Sequence, residues 1–151
     1  MRDVIVYLDS SVIVKRYVRE RGSDIVISLY RKAYSGDLRI AFSLWNIGEV
    51  LGVLDRARRL GRIGEREYIV VRRRFMGETK RMIRLGILIL VPLRLRILAE
   101  AWKFVESYHV YVADALQIAS AKYTGSQRFL TSDGRLHDIA VSEGLNSTLL
   151  S

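Results

Sequence analysis

The sequence predicts an α/β fold in which helices cover both faces of a parallel β-sheet. Short runs of β-branched and aromatic residues alternate with longer segments whose apolar residues recur at helical spacing. Their order is strand, helix, helix three times over, then strand, helix and strand. Acids lie just past the ends of two of the short runs, at the carboxyl ends where open α/β sheets bind ligands. Because consecutive parallel strands are joined by crossover helices, this order implies a three-layer arrangement.

The first predicted strand is Val4–Leu8, a β-branched and aromatic run typical of a strand that is buried on both faces. Asp9 follows it directly, and Val12, Ile13 and Tyr17 then lie at helical spacing. An aspartate between a strand and a helix is ordinary N-cap chemistry. The carboxyl end of a central parallel strand is also a common ligand site, so both roles remain open for Asp9.

A helix over 22–34 and a strand over Leu38–Phe42 come next. Ser43 can cap the following helix, which is predicted to run from Leu44 to about Leu60. Glu49 lies off the apolar stripe of that helix, so by itself it has the character of an ordinary surface glutamate. The stripe consists of Ile47, Val50, Leu51 and Leu54.

Residues 65–85 predict a long basic helix, which has Tyr68, Val71 and Phe75 on one side. It carries three consecutive arginines at 72–74. Its charged face is either a solvated surface or a surface that faces RNA or a protein partner. The sequence does not decide between these alternatives.

Ile87–Val91 predicts the third strand, which the only proline, Pro92, closes. A helix is expected over Leu95–Ser107. Its apolar side is expected to be formed by Leu98, Ala101, Trp102 and Val105. This spacing assigns Trp102 to the core and not to an exposed stacking surface.

The carboxyl-terminal part predicts a strand over Arg128–Thr131, a short helix over Arg135–Glu143 and an edge strand over Asn146–Leu150. The two histidines, His109 and His137, have no neighbouring metal-ligand pattern in the sequence. We therefore interpret both as structural or solvent-facing residues.

The helix that begins near Tyr111 is the most informative segment. Asp114 is the only charged side chain between Val110 and Ala121, and most of its neighbours are small or apolar. A helix that is apolar on nearly every side is buried, and a buried carboxylate is costly unless something pairs with it. Asp114 is therefore either a first-turn acid that the helix dipole favours or a member of a metal site or shared site.

Composition limits the classes of protein to which the chain can belong. We expect residues 1–151 to form one domain. The absence of cysteine excludes disulfides, zinc–thiolate sites and thiol catalysis. With no signal peptide and no apolar run long enough to span a bilayer, we expect a cytoplasmic protein without a membrane partner. The net charge of +9 suits a nucleic-acid partner, although an arginine-rich chain is also typical of a hot-growing source.

Four acids from distant parts of the chain are expected to share one cleft. Asp9 and Asp133 each follow a strand, whereas Glu49 and Asp114 lie in early turns of helices, and all parallel strands end at the same edge. Together these carboxylates would repel one another and raise one or more of their pKa values. Mg²⁺ or Mn²⁺ would neutralise them through oxygen ligands. In a basic protein, such a centre fits a phosphodiester substrate, whose phosphate the metal polarises while it activates a water molecule.

Four motifs resemble, in order and spacing, those of the PIN-domain nucleases, and in particular the VapC-type toxins of toxin–antitoxin pairs. They are Asp9-Ser10-Ser11, Asn46-Ile47-Gly48-Glu49-Val50, residues 112–121 and residues 130–136. The resemblance implies a Mg²⁺- or Mn²⁺-dependent endoribonuclease with a flavodoxin-like sheet, often a homodimer, which an antitoxin holds inactive. It also implies that Asp9, Glu49, Asp114 and Asp133 are the catalytic and metal-site acids, with Ser10, Thr131 and Ser132 as polar supports.

Three alternatives remain open. The first is a phosphatase or phospho-acceptor that uses Asp9 as its nucleophile, although Ser11 stands where haloacid-dehalogenase-like phosphatases carry a second aspartate. The second is a catalytically silent scaffold that binds RNA or a protein. The third is a nuclease that works in RNA processing and has no antitoxin.

Overall fold

The computed structural model describes residues 3–150, which form five strands and seven helices. The strands are β1 (Ile5–Leu8), β2 (Arg39–Ser43), β3 (Leu88–Val91), β4 (Arg128–Thr131) and β5 (Ser147–Leu149). The helices are α1 (Ser10–Tyr17), α2 (Ser23–Tyr34), α3 (Leu44–Arg59), α4 (Glu65–Arg84), α5 (Leu95–Tyr108), α6 (Val112–Thr124) and α7 (Gly134–Ser142). This order confirms the predicted α/β alternation.

The five strands form one sheet in the order β3-β2-β1-β4-β5, and every neighbouring pair is parallel. β1 lies at the centre, where Val6 is in register with Ile40 of β2 and Arg128 of β4. All four residues of β1 are buried, as its continuous apolar sequence predicts. All five strands end on the same side of the molecule, which we call the carboxyl edge.

Helices pack on both faces of the sheet, as predicted. The alternation of side chains along β1 divides the core into two parts, because successive residues point to opposite faces. Val6 and Leu8 pack with residues of α1, α2, α3 and α4, whereas Ile5 and Tyr7 pack with residues of α5, α6 and α7. The carboxyl edge is therefore flanked by the amino-terminal turns of helices from both layers.

The structure corrects one prediction, the assignment of Trp102 to the core. Its side chain is 49% exposed. The buried face of α5 is instead formed by Ile97, Ala101 and Phe104, which recur at intervals of four and three residues. Apolar residues occupy two adjacent stripes of this helix, and only the packing of α5 against its neighbours decides which stripe is covered.

The long basic helix α4 is anchored by a buried acid. Glu78 accepts hydrogen bonds from the Arg16 guanidinium through both carboxylate oxygens at 2.9 Å, and from the hydroxyls of Tyr17 and Tyr34 at 2.9 Å. The arginines at 72–74 lie on the exposed side of the helix. Among residues 3–150, every helix, including this one, is too short or too polar to cross a lipid bilayer.

Candidate active site

Asp9 lies at the end of the central strand and caps helix α1. Its side chain is buried, and its Oδ1 accepts hydrogen bonds from the Ser11 hydroxyl at 2.5 Å and from the Val12 N–H at 3.2 Å. Its Oδ2 accepts a hydrogen bond from the Thr131 hydroxyl at 2.5 Å. Burial raises the pKa of Asp9 to about 6, although these hydrogen bonds oppose the shift. The residue thus combines the two roles that its sequence position left open, as a helix cap and as a carboxylate in a potential site.

The turn after β4 connects Asp133 to the same cluster. The Thr131 hydroxyl, which donates to Asp9, accepts a hydrogen bond from the Asp133 N–H at 3.0 Å. The Ser132 N–H donates to the Ser11 hydroxyl at 3.0 Å, whereas the Ser132 hydroxyl has no partner among residues 3–150. Asp133 itself is exposed and caps α7 through its Oδ1. Two hydrogen-bonded links therefore hold the ends of β1 and β4 together.

Glu49 projects from α3 toward the start of α1. Its Oε1 accepts hydrogen bonds from the Ser10 hydroxyl at 2.7 Å and, more weakly, from the Asn46 side-chain amide at 3.4 Å. Asn46 also donates to the Ser10 oxygen at 2.8 Å. The structure thus places Glu49 beside the Asp9 turn through Ser10, which the sequence motif named only as a support.

A buried polar network lies beneath these acids and was missed by the sequence analysis. The Gln117 side-chain oxygen accepts hydrogen bonds from the Tyr7 hydroxyl at 2.8 Å and from the Asn46 amide at 2.9 Å. Burial raises the pKa of the Tyr7 hydroxyl, which therefore stays a donor. The network joins β1, α3 and α6 directly under the carboxyl edge. The sequence did contain a signal for this network. Asn46, Val50 and Leu54 recur at intervals of four residues, so they lie on the same buried side of α3.

Asp114 lies in the first turn of α6 and is partly buried. Burial raises the pKa of its carboxyl group, and the charges of Asp133 and Glu49 raise it further, whereas the charge of Arg135 lowers it. Unlike Asp9, its carboxylate has no hydrogen-bond donor among the described residues. Asp114 is therefore the acid of the cluster that most needs a positive partner from outside the chain.

Beside Asp114 and Asp133 lies a cavity of about 270 Å³, which we call the loop pocket. The connection between α5 and α6 forms one wall, and the first turns of α7 form the other. Its other lining residues are His109, Val110, Tyr111, Arg135, Leu136 and Ile139. The loop pocket opens next to the acids and thus extends the site along the protein surface.

The structure places the four acids near one another at the carboxyl edge, where their charges are coupled. Burial raises the pKa of Asp9, and the charge of Glu49 raises it further. Burial likewise raises the pKa of Asp114, and the charges of Asp133 and Glu49 add to that shift. Within residues 3–150, however, no three histidine or acid side chains stand close enough to hold a metal ion together. The acids therefore lie near one another at the carboxyl edge without forming a ready-made cage.

The chemistry of these side chains fits a hard divalent cation. The candidate ligands are all carboxylates, and oxygen is the donor that Mg²⁺ and Mn²⁺ prefer. The raised pKa values of Asp9 and Asp114 show that ionisation is costly there without a compensating charge. A cation bound between the acids would remove that cost, and Mg²⁺ usually keeps several waters, so it does not need a complete protein cage.

Comparison with solved structures shows the same fold at low sequence identity. VapC20 of Mycobacterium tuberculosis, described as a sarcin–ricin loop cleaving toxin, shares 16% identity with a TM-score of 0.63, covering 89% of this chain and 94% of that one. FitAcB from Neisseria gonorrhoeae shares 14% identity with a TM-score of 0.64, and the match covers 94% of this chain and 95% of that one. VapBC2 from Rickettsia felis, bound to a DNA fragment from its promoter, shares 14% identity with a TM-score of 0.61. The match covers 98% of this chain and 100% of that one.

No curated protein sequence matches the chain. The sequence model of one family, described as the PIN domain, matches residues 6–142. This range includes all four motifs on which the resemblance was based, and it confirms that resemblance. The chain therefore belongs to the PIN domain family.

Proposed function

We propose that the chain is an endoribonuclease that uses Mg²⁺ or Mn²⁺ to hydrolyse RNA phosphodiester bonds at the carboxyl edge. The observation that carries the proposal is the electrostatic coupling of four carboxylates, Asp9, Glu49, Asp114 and Asp133, at the carboxyl edge of a protein with net charge +9. Arginine side chains attract a polyanionic strand, whereas an acidic centre repels it unless a cation lies between them. Membership of the PIN domain family supports the same chemistry.

Each acid has a distinct role in this proposal. Asp9 is a preoriented ligand, since Ser11 and Thr131 hold its two oxygens in place. Glu49 is oriented through Ser10, and Asp114 and Asp133 complete the donor set. When bound, Mg²⁺ or Mn²⁺ would polarise the scissile phosphate and lower the pKa of a water molecule for in-line attack.

The decisive experiment incubates the purified chain with total RNA. We expect cleavage with Mn²⁺ or Mg²⁺, no cleavage with EDTA, and no cleavage by Asp114→Asn. Asp37→Asn is the matched control, because Asp37 is an exposed acid in the turn that precedes β2, at the opposite edge of the sheet. Calorimetric titration with Mn²⁺ provides a second measurement, in which Asp114→Asn binds weakly and Asp37→Asn binds like the wild type.

The same experiment separates the alternatives. A silent scaffold would retain RNA, form no products and bind RNA unchanged after Asp114→Asn. A phospho-acceptor would form a covalent adduct on Asp9, which mass spectrometry detects. Either result would replace the nuclease proposal.

We also propose that the nuclease is the toxin of a toxin–antitoxin pair. Support comes from the structural similarity to VapC20, whose description calls it a toxin, and to VapBC2. A small DNA-binding protein encoded next to this chain, which co-purifies with it and blocks cleavage, is the expected partner. If neither neighbour nor inhibitor exists, an RNA-processing nuclease becomes the better assignment.

A homodimer is the proposed assembly, and an apolar surface near the carboxyl edge is the candidate interface. Trp45, Leu93 and Val112 are each more than 40% exposed and, with Leu98 and Leu116, surround a hollow of about 210 Å³. Exposed apolar surfaces of this kind mark interaction sites. Light scattering should show a dimer that Leu93→Glu dissociates. Leu60→Glu, at a comparably exposed leucine after α3, should leave the dimer intact.

A further inference from the structure

We infer that Asn46 is a positioning residue, which sets the direction of the Glu49 carboxylate through the hydroxyl of Ser10. This inference rests on the proposed nuclease function and assigns a role in it to the buried network beneath the acids. The Asn46 side chain is fully buried. It therefore acts on a bound cation only through the side chains that it contacts.

The orientation of the Asn46 amide is fixed by its neighbours. Its Oδ1 accepts a hydrogen bond from the Ser43 N–H at 2.7 Å, a place that the amide nitrogen cannot take because it does not accept. Its NH₂ group then faces two acceptors, the Gln117 side-chain oxygen at 2.9 Å and the Ser10 hydroxyl oxygen at 2.8 Å. The Tyr7 hydroxyl also donates to the Gln117 oxygen, so Gln117 presents its oxygen and not its nitrogen to Asn46.

The direction of these bonds passes on to Glu49. A serine hydroxyl has one proton to donate. Because the Ser10 oxygen accepts from Asn46, its proton is directed to Oε1 of Glu49, at 2.7 Å. The other carboxylate oxygen of Glu49, Oε2, accepts no hydrogen bond from residues 3–150. One oxygen of Glu49 is thus held by the protein, and the other keeps its lone pairs for a cation.

The same network ties Glu49 to Asp114. Gln117 lies three residues after Asp114 in α6, so the two side chains are neighbours on that helix. Asn46 lies three residues before Glu49 in α3. The contact between Asn46 and Gln117 therefore joins two acid-bearing helices that pack on opposite faces of the sheet.

Stability alone does not account for this network. Apolar side chains of similar size would fill the same space at little cost, since replacing both partners of a buried hydrogen bond can be nearly neutral. A polar network instead requires that every buried donor and acceptor is matched. Asn46 does have one structural role, because its Oδ1 completes the capping box of α3. The test has to separate that role from the positioning of Glu49.

The test is calorimetric titration of the full chain with Mn²⁺. Asn46→Ala should weaken Mn²⁺ binding by roughly 10- to 100-fold, the range found when a residue that orients a metal ligand is replaced. Ser43→Ala is the matched control. It loses the capping hydrogen bond from the Trp45 N–H in the same helix but keeps the backbone N–H that orients Asn46.

Ser43→Ala should therefore bind Mn²⁺ like the wild type. Equal weakening by Ser43→Ala and Asn46→Ala would overturn the inference, because the cap of α3 would then be what matters. A folded Asn46→Ala variant with the affinity of the wild type would overturn it as well.

Variants of Ser10 test the relay itself. Ser10→Ala should weaken Mn²⁺ binding, whereas Ser10→Thr keeps the hydroxyl and should bind more tightly than Ser10→Ala. Combining Ser10→Ala with Asn46→Ala should weaken binding no further than Asn46→Ala alone, since both changes interrupt the same relay. Additive losses would contradict the relay. If Asn46→Ala does not fold, equal affinities of Ser10→Ala and Ser10→Thr are the contradicting result.

A measurement without metal distinguishes failure of this inference from failure of the proposed function. In EDTA, the loss of stability on urea denaturation should be smaller for the double variant Asn46→Ala with Glu49→Ala than the sum of the two single losses. If that coupling is present but the wild type neither binds Mn²⁺ nor cleaves RNA, the positioning contact stands and the nuclease proposal is wrong. If the wild type does both and Asn46→Ala does both equally well, the nuclease proposal stands and the inference is wrong.

Discussion

The hydroxyl of Thr131 donates a hydrogen bond to Oδ2 of Asp9 at 2.5 Å, across 122 positions of the chain. Both residues lie at strand ends, Asp9 just after β1 and Thr131 at the last position of β4. Because β1 and β4 are neighbouring parallel strands, this contact follows directly from the topology. It orients the most deeply buried acid of the candidate site and links it to the turn that carries Asp133.

Replacement of Thr131 by valine tests this contact. Valine has nearly the same shape but no donor, so one oxygen of a buried carboxylate loses its partner. We expect the free energy of unfolding to fall by about 1–3 kcal/mol at neutral pH, as measured by urea denaturation. Thr131→Ser keeps the hydroxyl and should retain more of the stability. An unchanged Thr131→Val variant beside a destabilised Thr131→Ser variant would show that packing of the methyl group, and not the hydrogen bond, is what matters.

The stability of the metal-free protein should depend on the ionisation of Asp9. Its pKa is raised from 3.8 to about 6, so between these values the unfolded chain has released a proton that the folded chain retains. Stability is then lost as the pH rises through this range, by about 3 kcal/mol in total. In EDTA, Asp9→Asn should lack this contribution. The difference between the free energies of unfolding of the wild type and Asp9→Asn, measured from pH 4 to pH 7, gives the contribution of Asp9 ionisation.

Mn²⁺ should reverse this effect at neutral pH, since a ligand that binds only the folded chain stabilises it. We expect a higher melting temperature for the wild type with Mn²⁺ and a smaller increase for Asp9→Asn. An Asp9→Asn variant that fails to fold would instead identify Asp9 chiefly as the cap of α1.

Glu78 is predicted to fasten α4 to the rest of the protein. Glu78→Gln keeps the shape but removes the charge that pairs with the partly buried guanidinium of Arg16. Breaking a buried pair in this way costs about 3 kcal/mol, which guanidinium denaturation can measure. The control is Glu65→Gln in the first turn of the same helix, because Glu65 is exposed and its ion pair with Arg58 lies near the surface. That change should cost less than about 1 kcal/mol.

The exposed arginines of α4 provide a test for contact with RNA. If Arg72, Arg73 and Arg74 bind phosphates, their joint replacement by glutamine should flatten the dependence of RNA affinity on salt concentration. Each lost contact with a single strand reduces the logarithmic slope by about 0.7. Replacement of Arg21 and Arg31, which are exposed residues outside this helix, is the control. An unchanged slope would assign this face of α4 to solvent or to a protein partner.

Local sequence patterns were sufficient to predict the elements and the edge at which the acids meet. The periodicity of apolar residues is a local property, so it located strands such as Arg128–Thr131 and helices such as α4 to within about one residue. Parallel strands share a direction, so the order of elements alone placed Asp9 and Asp133 on one side of the sheet. The individual roles of the four acids remain predictions.

Other features depended on contacts between distant residues, which periodicity does not specify. The exposure of Trp102 was decided by which stripe of α5 packs against α6, and the burial of Glu78 by partners on α1 and α2. The pairing of Asn46 with Gln117 likewise joins two helices 71 positions apart. By itself, the sequence determined an α/β sheet with acids at its carboxyl edge. The tertiary structure alone decided which polar side chains hold those acids, because hydrogen-bond partners are selected by proximity in space.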